Sequence, residues 1–295
     1  MAATSFLVDG SDGSPLVGYH WATDVPERGV VVLAHGLGEH SLRYQRVAEA
    51  LAAAGFHVVA VDHRGHGATI RREEELGSFG PGGFDTVVDD YARVVEQASA
   101  HHPGLPVVAL GHSLGSFVVQ TYLLDHSDRV VGAVLSGSAA LDELAVLLDP
   151  TAPVDLAMFN AAFQPARTDF DWLSRDPAEV DAYIADPLCG FGLDPAGVAS
   201  LKAAAPRTGD VTAVAAIRQG FPVYIFSGTA DPIHANLAWL DKLVARYTEA
   251  GLDVTTRYYA EGRHEMLNET NRDDVVADLV AWLERVVPNK SPGPK

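Results

Sequence analysis

The chain has 295 residues, 47% of them apolar, which is enough for a sizeable core in one large α/β domain or two smaller ones. Its 39 acidic against 21 basic residues give a formal net charge of −18, which repels phosphate backbones and anionic membrane surfaces and excludes nucleic acid as a partner. A single cysteine, Cys189, excludes an intramolecular disulfide; no apolar stretch reaches the ~20 residues that cross a bilayer; and the opening MAATSFLVDGSDG has neither the basic start nor the apolar centre of a signal peptide, so a cytoplasmic address is expected.

Two short β-like segments, 5–9 and 16–22, open the chain around a DGSDGSP turn, which reads as a hairpin. Apolar or β-branched runs follow at 30–34, 57–62, 107–110, 130–136, 222–227 and 254–259, as expected of parallel strands buried on both faces. Helical stretches fall between and after them at 44–54, 84–101, 115–126, 235–250 and 273–287, and this alternation predicts a doubly wound α/β fold. Between Ser138 and about Ala215 there is no strand signal, only short helical pieces punctuated by prolines, which reads as a helical cap inserted over the carboxyl ends of the strands. The expected division is a core of 1–138 and 216–288, a cap of 139–215 and a disordered tail of 289–295.

Gly111-His112-Ser113-Leu114-Gly115 follows one of these runs and precedes a helical stretch. A serine on such a strand-to-helix turn is strained and exposed, and glycine is needed on either side because the turn and the next helix pack too closely for side chains. A serine hydroxyl is a poor nucleophile near neutral pH, so it needs a histidine to take its proton and an acid to hold that histidine's tautomer. Asp231 and His264 each follow a predicted strand, in the chain order serine, acid, histidine, at the ends where open parallel sheets form sites. The amides of Leu114, next to the serine, and Leu37, in the glycine turn after the third strand, are the expected oxyanion donors. His112 is expected to point away and pack, and His101-His102 to form a solvated pair at a helix end. Histidines at 35–40 and 63–66 invite a metal reading, but neither set is completed by a third carboxylate or a cysteine in sequence, so no metal and no cofactor is expected.

Six blocks in order, AHGLGEHSLRY, VDHRGHG, GHSLGS, DPLC, SGTADPI and EGRHEMLNE, extend the pattern over nearly all of 30–285. In these blocks the chain resembles the monoacylglycerol lipase-like α/β-hydrolases, a family that includes lysophospholipases and carboxylesterases. The resemblance implies an α/β-hydrolase fold with a mostly parallel eight-stranded sheet, helices on both faces and a helical cap. It also implies Ser113, Asp231 and His264 as the triad, Leu37 and Leu114 as oxyanion donors, and esters of a single acyl chain as substrates. Ser116 stands where members commonly have a second glycine, and the cap departs most from the family. Leu156, Phe159 and Leu188 are the candidate acyl contacts, and Cys189 is expected to be a small buried apolar side chain.

The leading expectation is therefore a serine carboxylic ester hydrolase working through an acyl-enzyme on a small-molecule ester, without stable membrane insertion. Acyl transfer, peptidase or perhydrolase chemistry could use the same triad. A ligand receptor on a retained hydrolase scaffold is the reading from another class. Oligomeric state is left open.

Overall fold

The computed structural model describes residues 2–287, so the tail expected at 289–295 lies outside the described residues, as does Pro288. The opening hairpin pairs β1 (Thr4–Asp9) with β2 (Pro15–Trp21), and β3 (Gly29–Ala34), β4 (Phe56–Val61), β5 (Val107–His112), β6 (Gly132–Ser136), β7 (Pro222–Gly228) and β8 (Asp253–Tyr259) follow. These strands form one sheet in the order β1-β2-β4-β3-β5-β6-β7-β8. The β1/β2 and β2/β4 pairs are antiparallel and the remaining pairs parallel.

Parallel neighbours need long crossovers, which here are helices: α1 (Gln45–Ala53), α2 (Gly83–His101) and α3 (Leu114–His126). Between β6 and β7 come α4 (Leu141–Leu144), α5 (Pro177–Ala185), α6 (Pro195–Gly209) and α7 (Val211–Ala215), with no strand among the described residues. The chain then adds α8 (Ala238–Glu249) and α9 (Arg272–Val286). Successive strand residues face opposite sides, so β3 splits its run between two cores. Val30 and Val32 join Tyr91 of α2, Val118 of α3 and Leu243 of α8 on one side, while Val31 and Leu33 join Leu51 of α1 and Leu279 of α9 on the other. Among the described residues, no helix is long and apolar enough to cross a membrane.

Two expectations are corrected. β8 is the sheet edge, and Asp253, Thr256 and Arg257 are exposed rather than buried on both faces. A β-branched run fits an edge as well as a centre, and here a charged side chain discourages further pairing. The helix expected from residue 235 begins at Ala238, because Ala235, Asn236 and Leu237 all take positive φ (49°, 53° and 71°). His234 fixes that loop: its Nε2 bonds the Gly228 carbonyl at 2.9 Å, and its Nδ1 accepts the Leu237 N–H at 2.9 Å.

Gly115 lets α3 approach β3, since a Cβ there would sit 2.0 Å from the Ala34 carbonyl oxygen. Backbone cannot yield as a flexible side chain would, so Gly115→Ala is expected to cost about 3 kcal/mol. A urea midpoint shift measures the loss; an unchanged midpoint would mean that the close approach is not required.

Candidate active site

Ser113 sits between β5 and α3 with φ 51° and ψ −119°, a region that costs a non-glycine residue on the order of 1–3 kcal/mol. Its neighbours hold it there. The Ser113 N–H donates to the Ser136 carbonyl at 2.9 Å, and the Ser116 hydroxyl hydrogen-bonds the Ser113 carbonyl at 2.6 Å and the Ser138 hydroxyl at 2.7 Å. Ser116, which departs from the family pattern, thus supports the turn. Leu114 is the first residue of α3, so its amide has no acceptor within the helix, and Leu37, like Leu114, lines the cavity that Ser113 faces.

Asp231 and His264 follow the carboxyl ends of β7 and β8, and both are buried. His264 Nδ1 meets Asp231 Oδ2 at 2.9 Å, while Asp231 also accepts from the Ser227 hydroxyl at 3.0 Å and the Ile233 amide at 3.1 Å. Burial alone would raise the Asp231 pKa, but the neighbouring His264 and these donors hold it below the ordinary carboxylate value. For His264, burial disfavours the imidazolium, yet the Asp231 charge and hydrogen bond, with Glu265 and Glu39 nearby, carry its pKa above the ordinary imidazole value. Ser113 and His264 line the same cavity, and among the described residues the Ser113 hydroxyl has no hydrogen-bond partner. Such serine–histidine contacts are often loose without substrate.

Two rings pack on that of His264. The Trp172 ring lies 4.9 Å away and the His112 ring 4.8 Å away. His112 does not point away as expected; it lines the cavity and bonds the Ser136 hydroxyl at 3.1 Å. Burial, then the neighbouring His264, pushes its pKa down to about 4, so it adds no charge beside the site near neutral pH.

Arg43 was not distinguished by sequence spacing. It makes a bidentate pair with Glu265 at 2.6 and 2.8 Å, reaches Glu39 at 2.6 Å, and lies 4.7 Å over the Tyr183 ring. Glu39 in turn accepts from the Gly36 amide at 2.6 Å and the Tyr44 hydroxyl at 2.7 Å, which fixes the turn carrying Leu37. Burial would raise the Glu265 pKa, but Arg43 draws it down to about 2.

The cavity is narrow, about 70 Å³, and the helical segment between β6 and β7 supplies much of its wall. Leu156 and Phe159 line it; Leu188 does not, and Leu193 and Leu201 do instead. Leu188 follows a turn in which its amide donates to Asp186 at 2.9 Å, so chain proximity to the cavity did not make it a wall. Cys189 is half-buried, and burial pushes its thiol pKa well up, leaving it protonated. The histidines at 35, 63 and 66 tie loops: His35 Nδ1 bonds the Gly36 carbonyl at 2.8 Å, the His63 amide donates to His35 Nε2 at 3.0 Å, and His66 Nδ1 bonds the Arg64 carbonyl at 2.8 Å. Of the expected solvated pair, His101 is exposed and bonds the Gln97 carbonyl at 2.8 Å, whereas His102 is half-buried against the His57 ring at 4.1 Å.

A strained serine and a buried carboxylate–histidine pair at the strand ends of this sheet define an α/β-hydrolase, and known proteins agree. Residues 25–271 match the Hydrolase_4 family, described as serine aminopeptidase, S33. A monoacylglycerol lipase of Mycolicibacterium smegmatis is 33% identical over 268 residues, which cover 89% of this chain and 90% of that protein. A thermostable carboxyl esterase from Bacillus coagulans, crystallised with glycerol, has the same fold, with TM-score 0.87 at 24% identity over 97% of this chain and 99% of that one. The monoacylglycerol lipase of Paleococcus ferrophilus gives TM-score 0.68 at 29% identity over 92% and 99%. The protein belongs to the Hydrolase_4 family.

Arg43→Met leaves two buried carboxylates without their cation, so a loss of about 3–5 kcal/mol in urea unfolding is expected. The Glu265 pKa is depressed from 4.5 to about 2 on folding, so its contribution is full above 4.5 and is lost as pH falls toward 2. Glu265→Gln should flatten the stability profile across that window; an unchanged acid slope would refute the linkage.

Proposed function

We propose that the protein hydrolyses monoacylglycerols and similar single-chain esters through an acyl-enzyme on Ser113. The observation that carries this reading is the buried Asp231–His264 pair, which opens into the same apolar cavity as the strained serine. Asp231 occupies Nδ1 of His264, leaving Nε2 to take the Ser113 proton as the hydroxyl attacks the ester carbonyl. The Leu37 and Leu114 amides receive the oxyanion, His264 returns the proton to the departing alcohol, and a water activated by the same nitrogen releases the acid. Residues 139–215 act as the cap, with Leu156 and Phe159 against the acyl chain. A cavity of about 70 Å³ is smaller than ordinary ligand sites, so cap side chains move aside to admit that chain.

The two carboxylates that line the cavity, Glu39 and Glu265, are both bound by Arg43. That leaves neither of them free to hold a substrate ammonium, which favours esters over peptides with a free amino terminus.

Ser113→Ala should lower turnover by about 10⁴ to 10⁶ without altering the fold, and a fluorophosphonate should label the wild-type serine. A variant retaining a tenth of wild-type activity would end the assignment. Because the His264 pKa is raised and the base must be neutral, activity should fall as pH drops through a midpoint above the ordinary imidazole value. Asp231→Asn should cut turnover by about 10⁴. Each methylene buried against the cap is worth about 0.8 kcal/mol, so kcat/KM should rise about fourfold per methylene until the wall is reached. Phe159→Ala should move that limit without moving the pH profile. A flat chain-length series on both proteins, with the alcohol governing rate, would reverse the assignment of the wall.

A further inference from the structure

At the end of the sheet opposite Ser113, three histidines from separate elements converge. His20 lies on β2, His57 is the second residue of β4, and His102 directly follows α2. The antiparallel register sets His20 against Val59, so His57, two residues earlier on β4, is its diagonal neighbour on the same face. His20 Nε2 is 3.3 Å from His57 Nδ1, and one ring nitrogen from each of the three histidines lies within 4.8 Å of the others. The other nitrogen of His57, Nε2, meets the Glu27 carboxylate at 3.0 Å. His20 and His102 also line an open cavity of about 520 Å³, whose walls include Phe6, Val59 and Val94.

We propose that His20, His57 and His102 bind a divalent transition metal of the zinc class, with water in the fourth position. Three imidazoles without a carboxylate ligand select zinc, nickel or copper over magnesium and calcium. At zinc–nitrogen distances of about 2.05 Å, tetrahedral geometry separates two ligand nitrogens by about 3.3 Å, which is the spacing already present between His20 and His57. Glu27 supplies the carboxylate that metal-bound histidines commonly have behind them: it takes the Nε2–H, fixes the tautomer, and leaves the Nδ1 lone pair of His57 facing His20. Among the described residues, the only other donor at that nitrogen is the Thr23 amide, at 3.4 Å. His102 now lies against His57 and must turn to aim a nitrogen; it is half-buried at a helix end and borders the cavity, so the turn meets little obstruction. The metal would join β2, β4 and the connection from α2 to β5, and its binding energy would appear as stability rather than as catalysis.

The test uses the untagged full-length protein, stripped with EDTA and titrated near neutral pH with zinc and, separately, with cobalt. The expected result is one zinc per chain, a rise in melting temperature, and a cobalt spectrum of tetrahedral imidazole ligation, with the esterase rate unchanged. His20→Ala and His102→Ala should each weaken zinc binding by at least about 100-fold, and Glu27→Gln by about 10- to 100-fold. Equal zinc binding by wild type and the His20→Ala/His102→Ala variant, or none by wild type, would leave the rings as a packing cluster and overturn the proposal. Loss of binding on Cys189→Ser instead would move the metal to His40, Asp186 and Cys189, the second such grouping among the described residues, and overturn it equally. The wild-type cobalt spectrum decides independently if a histidine variant does not fold, because a spectrum without imidazole ligation is incompatible with the site.

Discussion

Arg43 is a single guanidinium that holds together the parts of the site the backbone leaves separate. Glu39 belongs to the loop after β3, Glu265 directly follows His264, and Tyr183 lies in α5 of the helical segment. Each carboxylate would be costly to bury alone, and the planar fork satisfies both while stacking on the ring. Through Glu39 the clamp reaches the Gly36 amide, and through Glu265 it sets the residue beside the proposed base. The oxyanion turn and the histidine loop are thereby tied to one charge.

The helical segment is joined to the histidine loop by its backbone as well. The His264 amide donates to the Trp172 carbonyl at 3.3 Å and the Glu265 amide to Leu173 at 2.7 Å, while Arg263 bonds the carbonyls of Asp171 and Ser174 and Arg175 pairs with Glu269 at 3.0 Å. The stretch that includes Trp172 is therefore fixed to the core. The exposed apolar side chains Val146, Leu147 and Met158 lie earlier in the segment, where Asn160 accepts the Trp172 amide at 2.9 Å.

The net charge of the chain and the charges inside the site are separate matters. A net charge of −18 belongs to the whole chain, whereas in the cavity the carboxylates are paired and burial suppresses the charge on His112. Burial then strengthens the Asp231–His264 interaction, since little water reaches the pair to screen it.

The alternation of strands and helices was legible in the sequence because side-chain periodicity is a local consequence of backbone geometry. The glycines around Ser113 were legible for the same reason, as were Asp231 and His264, each placed just after a strand. Local pattern could not separate the edge strand β8 from a central one, nor foresee three left-handed residues before α8, which depend on His234 reaching back to Gly228. The Arg43–Glu265 pair spans 222 residues, and the packing of Trp172 and His112 on His264 joins three distant segments. The exclusion of Leu188 from the cavity and the meeting of His20, His57 and His102 have the same origin. Sequence determined which residues could form each strand, helix and turn; only the tertiary structure decided which side chains met, because those meetings depend on sheet order and helix packing rather than on neighbours along the chain.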